Sequence, residues 1–167
     1  MSEQSVALKM EDAPPQMVAM QLMTGYWVSQ MVYVAARLKL ADLLADGPKT
    51  SEQLAKASGV HAETLNRLLR ALVSVGMFST NAEGRYTLTP VSELFRSGPG
   101  SMSPMVIHTL ETPSWQAWGE LLESVKTGKT GFLIAHGQEV FPYYATHPES
   151  AEPFNEAMTG YSAMVSS

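Results

Sequence analysis

Residues 13–36 contain no Asp, Glu, Lys or Arg, and this uncharged stretch constrains the fold more than any other feature of the sequence. About twenty apolar residues suffice to cross a bilayer. Glutamines recur through the stretch, however, and each amide left in hydrocarbon would cost several kcal/mol. We therefore predict no membrane span, but a helix over residues 16–38 that starts after Pro14 and Pro15.

This predicted helix is apolar on nearly all sides, so it needs to be covered on more than one face. A chain of 167 residues with few other long helices cannot easily cover it alone. A second subunit is the natural cover, which predicts a homodimer. The residues assigned to the dimer interface are Met20, Met23, Trp27 and Met31.

The next part of the chain carries signals of three short helices followed by a hairpin. Thr50 or Ser51 can cap one helix, which Gly59 ends, and Gly76 closes the next. The predicted elements are helices at 40–45, 52–57 and 61–75 and strands at 77–80 and 85–89. Three short helices and then a hairpin are typical of a winged helix-turn-helix.

After residue 90 the pattern returns to helix. We predict that Ser114 caps a helix through residue 125 and that a last helix spans residues 148–166. The predicted organisation is a flexible tail at 1–15, a dimerisation domain at 16–110 and a helical connector at 111–167.

Charge and composition exclude several classes of protein. The net charge is −5, and residues 60–120 hold four basic against five acidic residues. DNA binding by the helix at 61–75, the first interpretation of a winged helix, is disfavoured because phosphate contacts require a basic excess. Cysteine is absent, which excludes disulfides and thiolate sites and is consistent with a cytoplasmic protein.

Motifs for catalysis or metal binding are weak. The segment 127–131 contains Gly-Lys-Thr, but a phosphate loop needs a glycine at position 123, where the chain has Glu123. We interpret Gly128 as a helix C-cap. The four histidines lack metal-ligand spacing, so no metal is predicted.

Several segments spread along the chain together resemble one family of enzymes. They are Ala19-Met20-Gln21-Leu22, Ala41-Asp42-Leu43-Leu44, residues 65–72, Gly76-Met77-Phe78, Arg85-Tyr86-Thr87-Leu88-Thr89-Pro90, Ala117-Trp118, Thr127-Gly128, His136-Gly137, Phe141 and Phe154-Asn155-Glu156-Ala157-Met158. In order and spacing they resemble the small-molecule O-methyltransferases that use S-adenosylmethionine, of the plant phenylpropanoid and bacterial polyketide type.

The resemblance implies the N-terminal dimerisation domain of such an enzyme, in which the winged helix serves oligomerisation and lines the substrate pocket. The fold class is then mainly α, with flanking helices and one small β-hairpin. The α/β donor domain of the family is absent from this chain, because no strand followed by Gly-x-Gly occurs in it. S-adenosylmethionine is therefore expected as cofactor of the complete enzyme, and the chain alone is expected neither to bind it nor to transfer methyl groups.

The resemblance also implies site residues. His108, Phe141, Phe154, Met158 and Tyr161 would face the acceptor, and Ser162 would approach the amino-acid end of the donor. The general-base histidine of the family would lie in the absent part, so no catalytic residue is expected here. Phe154, Met158 and Tyr161 also fall on one helical stripe, as a substrate wall or plain core packing would require.

The leading hypothesis is thus that the chain is part of an enzyme that methylates a hydroxyl of an aromatic or polyketide-like small molecule. The chain would form a homodimer and bind neither nucleic acid nor membrane. Two alternatives remain: a free-standing winged-helix regulator or ligand-binding dimer, and a homologue of the same fold with a non-methylating activity.

Overall fold

The computed structural model describes residues 13–165, with side-chain surroundings for residues 13–160. Residues 1–12 of the predicted tail lie outside this range. Within it the chain is mainly helical with one two-stranded sheet, as predicted. The elements are α1 (Pro15–Arg37), α2 (Leu40–Leu43), α3 (Ser51–Ser58), α4 (Ala62–Ser74), β1 (Phe78–Thr80), β2 (Tyr86–Leu88), α5 (Pro90–Glu93), α6 (Ser103–Leu110), α7 (Thr112–Gly119), α8 (Leu121–Thr127), α9 (Gly131–His136), α10 (Val140–Thr146) and α11 (Pro148–Val165).

The helix α1, which contains the uncharged stretch, matches its predicted bounds to within one residue at each end. Pro15 occupies its first turn, where a missing N–H costs no hydrogen bond. Its buried side chains are Ala35 and Ala36, near the C-terminal end. In the part of the chain that the structure describes, no helix is long and apolar enough to cross a membrane.

An apolar core of buried side chains lies between α2, α3, α4 and the hairpin. Thr50 and Gln53 form a reciprocal capping box that starts α3, and Gly59 ends it in the left-handed conformation, with φ of 70°. The helix α4 buries Leu65, Leu69 and Leu72. The predicted helices at 52–57 and 61–75 are therefore confirmed, and their caps are local in sequence.

The hairpin of β1 and β2 closes this core. Its register pairs Phe78 with Leu88, Ser79 with Thr87 and Thr80 with Tyr86. The side-chain oxygen of Asn81 accepts hydrogen bonds from the backbone N–H groups of Glu83 and Arg85, at 3.1 and 2.9 Å, which fixes the turn. The hydroxyl of Tyr86 donates to Oδ1 of Asn66 at 2.7 Å and ties the hairpin to α4.

The prediction of a single helix that Ser114 caps and that reaches residue 125 is wrong. In the structure α7 begins earlier, at Thr112, because Pro113 is well placed in a first helical turn. The helix breaks after Gly119, a poor helix former, and α8 restarts at Leu121. Ser114 lies inside α7, and its hydroxyl donates to the carbonyl oxygen of His108 at 2.8 Å.

Two glycines of the Gly-Lys-Thr segment have structural roles. Gly128 is the C-cap of α8 with φ of 73°, which confirms the predicted cap. Gly131 begins α9, and a Cβ at this position would collide with the carbonyl oxygen of Ala117. The glycine therefore lets α9 pack closely against α7.

The helix α6 joins the two halves of the chain. It packs against α1 on one side and against α11 on the other. Because α11 also contacts α10, the helices α6, α10 and α11 bring together residues that are distant in sequence.

Candidate functional site

An aromatic cluster forms where α6, α10 and α11 meet. The ring of Phe154 lies 5.0 Å from the ring of His108 and 5.2 Å from the ring of Tyr144, between centroids. The hydroxyl of Tyr144 and Nδ1 of His108 form a hydrogen bond of 3.2 Å. The ring of Phe141 lies 6.1 Å from that of Phe154, in an edge-on arrangement. The structure thus brings together three of the residues predicted to face the acceptor.

Burial keeps the polar pair of this cluster uncharged. It lowers the pKa of His108, because the protonated imidazole loses its hydration. Burial, followed by the negative charge of Glu111 and by Tyr143, raises the pKa of Tyr144 to about 12. At neutral pH both groups are therefore neutral hydrogen-bonding partners, and the cluster presents aromatic surface with one polar point.

Phe141 occupies the open side of the cluster, and the remaining predicted acceptor residues follow the cluster along α11. Phe141 is 70% exposed, so most of its ring is free to contact another molecule. Met158 lies one helical turn beyond Phe154 and is exposed. Tyr161 and Ser162 belong to the same helix, but their side chains lie outside the described residues.

Sequence reasoning missed a buried acid beside this cluster. Glu111 stands between α6 and α7 and is 7% exposed. Among the described residues its Oε1 atom has no hydrogen-bond partner. Burial, reinforced by the charge of Glu149, raises its pKa to about 7, although Arg37 and a hydrogen bond from Ser150 oppose the shift. Nothing in the local sequence distinguishes Glu111 from the exposed glutamates, because its burial arises from packing between distant helices.

A cavity of about 720 Å³ lies on a neighbouring face of α11. It is lined by the C-terminal end of α1, by α2, by residues 97–101, by α6 and by Asn155, Glu156 and Thr159. The carboxylate of Asp42 accepts hydrogen bonds from the backbone N–H and the hydroxyl of Ser97, both at 2.8 Å, and holds the loop against α2. The predicted acceptor residues with described side chains lie outside the lining of this cavity.

The N-terminal half of α1 presents an apolar face to solvent. Met20, Met23 and Trp27 of the predicted interface are each more than half exposed, as is Tyr26. Met31 differs from them, because its side chain is partly buried and packs against the core of its own subunit. The exposed face is therefore confined to the first four turns of α1.

Residues 20–98 match the family described as the O-methyltransferase dimerisation domain. Phenazine O-methyltransferase PhzM of Lysobacter antibioticus is 44% identical over 153 residues, which are 91% of this chain and 45% of the relative. Phenazine-1-carboxylate N-methyltransferase of Pseudomonas aeruginosa is 38% identical over 83% of this chain and 41% of its own length. The chain spans less than half the length of these relatives.

Solved structures give the same correspondence. The crystal structure of LaPhzM superposes with a TM-score of 0.87 at 44% identity and covers 92% of this chain and 46% of that protein. The mitomycin 7-O-methyltransferase MmcR superposes with a TM-score of 0.83 at 31% identity, over 88% of this chain and 44% of that protein. NcsB1 superposes with a TM-score of 0.69 at 29% identity, over 81% and 42%, and was solved with S-adenosylmethionine and a naphthoic acid.

Proposed function

Because this chain belongs to the O-methyltransferase family through its dimerisation domain, we propose that it forms the dimer interface and one acceptor wall of a methyltransferase. The enzyme would use S-adenosylmethionine and methylate a hydroxyl of an aromatic or polyketide-like small molecule. The relatives named for phenazine substrates and the naphthoate complex of NcsB1 support a planar aromatic acceptor.

The acceptor wall is assigned to the aromatic cluster. His108, Phe141, Phe154 and Met158 offer polarizable apolar surface, and the neutral pair of His108 and Tyr144 supplies a hydrogen bond without placing a charge beside the ring. Tyr161 and Ser162 continue the same helix and keep their proposed roles toward acceptor and donor. The proposed contribution of this chain to catalysis is to orient the acceptor. Holding two reactants in the right relative geometry lowers the barrier to the reaction between them.

The described residues do not fit a donor site. A nucleoside-bearing cofactor is held at the edge of a parallel sheet by a glycine-rich turn and a helix N-terminus. Within residues 13–165 the sheet is the antiparallel pair of β1 and β2. We therefore assign donor binding to a part of the complete enzyme that carries such a sheet.

The helices α2, α3 and α4 with the hairpin are proposed to form a winged helix that supports the dimer and does not bind DNA. The exposed face of α4 carries Glu63 beside Arg67 and Arg70. In the hairpin, Arg85 pairs with Glu83 at 3.2 Å. Too little positive charge is left for several phosphate contacts. We also propose a domain boundary near residue 110 and a cytoplasmic location.

The observation that carries the proposal is the exposed apolar face of α1 inside the matched dimerisation domain. Trp27→Asp tests it, because an unpaired charge buried in an interface costs several kcal/mol. Sedimentation velocity should find the unchanged chain dimeric at micromolar concentration and the variant's dissociation constant raised about 100-fold or more.

Val91→Asp is the matched control, since Val91 is a comparably exposed apolar residue on α5. Circular dichroism should show that both variants keep the helical content of the unchanged chain. A monomeric unchanged chain would overturn the proposed function, and a Trp27→Asp variant as tightly dimeric as the control would move the interface away from α1.

A further inference from the structure

The hydrogen bond within the aromatic cluster has a direction, and that direction decides which nitrogen of His108 carries the proton. The hydroxyl of Tyr144 and Nδ1 of His108 are 3.2 Å apart, and the distance alone allows either atom to be the donor. Burial lowers the pKa of His108, so at neutral pH its ring carries one N–H, on Nδ1 or on Nε2. The surroundings of Tyr144 distinguish the two forms.

The hydroxyl of Tyr144 is the donor of this bond. Tyr144 is only 8% exposed, so its hydroxyl hydrogen has to find an acceptor inside the protein. A proton on Nδ1 would donate to the tyrosine oxygen and would leave that hydrogen without an acceptor among residues 13–160. Glu111 does not supply one, because its Oε1 atom is unpaired and its hydrogen bond is with Ser150. Tyr144 therefore donates to Nδ1, and the ring proton of His108 lies on Nε2.

The Nε2–H group of His108 is left for another molecule. In the described part of the chain no group forms a hydrogen bond with it, and the unpaired side-chain atoms sealed from solvent there are Oε1 of Glu111 and Oγ of Ser124. His136, a second histidine packed against an aromatic ring, differs in this respect, because its Nε2 lies 3.0 Å from the carbonyl oxygen of Pro113. Of these two rings, that of His108 keeps a free donor.

In this form the ring of His108 can donate a hydrogen bond but cannot remove a proton. Its lone pair, on Nδ1, is already engaged by Tyr144, and Nε2 is protonated. The surface around it is aromatic, because the ring of Phe154 lies 5.0 Å away and also contacts that of Phe141, which is largely exposed. A flat molecule that lies on this surface therefore meets one polar group, and that group is a donor.

We propose that Tyr144 is a positioning residue that holds His108 in the Nε2–H form, and that this N–H recognises a lone pair on the rim of a planar aromatic methyl acceptor. The lone pair is that of an unprotonated ring nitrogen or of a carbonyl oxygen. The inference rests on the proposed function, because it specifies the chemistry that the acceptor wall selects. A rim with only C–H groups would cover the N–H without replacing its hydrogen bond to water, and a buried unpaired donor is costly.

NMR of the chain with nitrogen-labelled histidine tests the form of His108. The protonated and unprotonated nitrogens of a neutral imidazole resonate in well-separated ranges, and His108→Leu identifies the signals of this ring among the four histidines. We expect a protonated Nε2 and an unprotonated, hydrogen-bonded Nδ1. Tyr144→Phe should move the two signals toward each other, because it removes the bond that fixes the proton.

Tyr143→Phe is the matched control. Tyr143 is the adjacent tyrosine, its ring contacts that of Tyr144, and its hydroxyl forms no hydrogen bond with the described residues. The control should leave both nitrogen signals of His108 in place, and circular dichroism should show that both variants stay helical. A protonated Nδ1 in the unchanged chain would overturn the inference, and so would signals of His108 that Tyr144→Phe does not move.

Quinoline and naphthalene test the recognised chemistry, since they share two fused aromatic rings and differ by one ring nitrogen. Their dissociation constants are measured by NMR titration of the unchanged chain and of His108→Leu at about pH 8, where quinoline is neutral. The ratio of the two constants should favour quinoline about fivefold more in the unchanged chain than in His108→Leu, the usual effect of one hydrogen bond. Comparing the ratios cancels the different hydration of the two rings.

The outcomes separate this inference from the proposed function. If both rings bind to the cluster but the ratio is the same in the two proteins, the acceptor wall stands and the inference is wrong. If neither ring shifts the signals of Phe141 and Phe154, the cluster is not an acceptor wall, and the assignment of that wall fails together with the inference.

Discussion

The two halves of the described chain, residues 13–102 and 103–165, differ in which side chains they bury. In the first half the largest fully buried apolar side chains are Phe78, Leu40, Leu54, Leu69 and Leu72, and they form one apolar core. Past residue 103 the buried apolar side chains of the described part are Phe132, Tyr144 and Ala157. They share the interior with Ser150 and with the acid Glu111, whereas the buried polar residues of the first half, Ser51 and Ser92, carry uncharged hydroxyl groups.

We interpret this difference as one between a part of the chain held together by its own apolar core and a part that carries the proposed acceptor wall. In the first half one cluster of buried apolar side chains connects the end of α1, the helices α2, α3 and α4, and the hairpin. The second half leaves the side chains of Phe141, Leu122 and Val125 exposed and keeps the carboxyl group of Glu111 buried, where its charge is costly. Polar groups buried at such a cost are frequent at functional sites.

The largest effect expected within a subunit comes from Leu69→Ala. Leu69 is fully buried in the apolar core, so truncation removes its transfer free energy and leaves a cavity. We expect the free energy of unfolding in urea to fall by about 2–5 kcal/mol. Val91→Ala, at an exposed position, should change it by about 0.5 kcal/mol or less. Equal losses in the two variants would contradict the division between a sealed core and an open surface.

A smaller effect on the free energy of unfolding is expected from Glu111→Gln. At alkaline pH this substitution should stabilise the protein, whereas Leu69→Ala destabilises it. Burial, with the charge of Glu149, raises the pKa of Glu111 from 4.5 to about 7 despite Arg37 and Ser150. As the pH rises, the carboxyl group of Glu111 therefore ionises at a lower pH in the unfolded chain than in the folded protein. The stability that the protonated carboxyl contributes is complete below pH 4.5 and is lost as the pH rises through 7.

Glutamine cannot ionise, so the variant should gain stability over the unchanged chain as the pH rises from 5 to 8, by about 2 kcal/mol. Urea unfolding at both values checks this. The comparison cancels the titration of His108, whose pKa burial lowers in both proteins. Glu152→Gln, at an exposed position, should show no such gain. A Glu111→Gln variant that is equally stable relative to the unchanged chain at both pH values would show that the carboxyl is well solvated.

The smallest effect is expected from Tyr144→Phe, which removes the hydroxyl bonded to His108 and keeps the ring beside Phe154. The cost should be about 1 kcal/mol in urea unfolding, the usual net value of one hydrogen bond. Tyr144→Ala should cost about 3 kcal/mol or more, because it also removes buried aromatic surface. If the two variants lost equal stability, the hydrogen bond rather than aromatic packing would hold the cluster.

The helices and strands of the first half can be predicted from local signals in the sequence. Thr50, Gly59 and Gly76 mark helix ends through their own capping chemistry, and the leucines of α4 reveal its buried face by their spacing.

The second half depends on contacts that no local pattern encodes. Ser114 has the chemistry of a cap, but Pro113 starts the helix earlier and the hydroxyl bonds to His108 instead. The resemblance pointed to His108, Phe141 and Phe154. Tyr144 joins their aromatic cluster, and Glu111 lies beside it, because α6, α10 and α11 converge there. Such convergence is a property of the tertiary fold.

The chain contains no cysteine, so one introduced thiol reports on one position. In the single subunit the side chains of Met23 and Val91 are 61% and 50% exposed, and their thiol variants should react with an aromatic disulfide reagent at similar rates if both faces are free. Coverage of α1 by a second subunit predicts that Met23→Cys reacts about tenfold more slowly than Val91→Cys at a concentration where the protein is dimeric. Equal rates at that concentration would show that the uncharged face of α1 is not where the subunits meet.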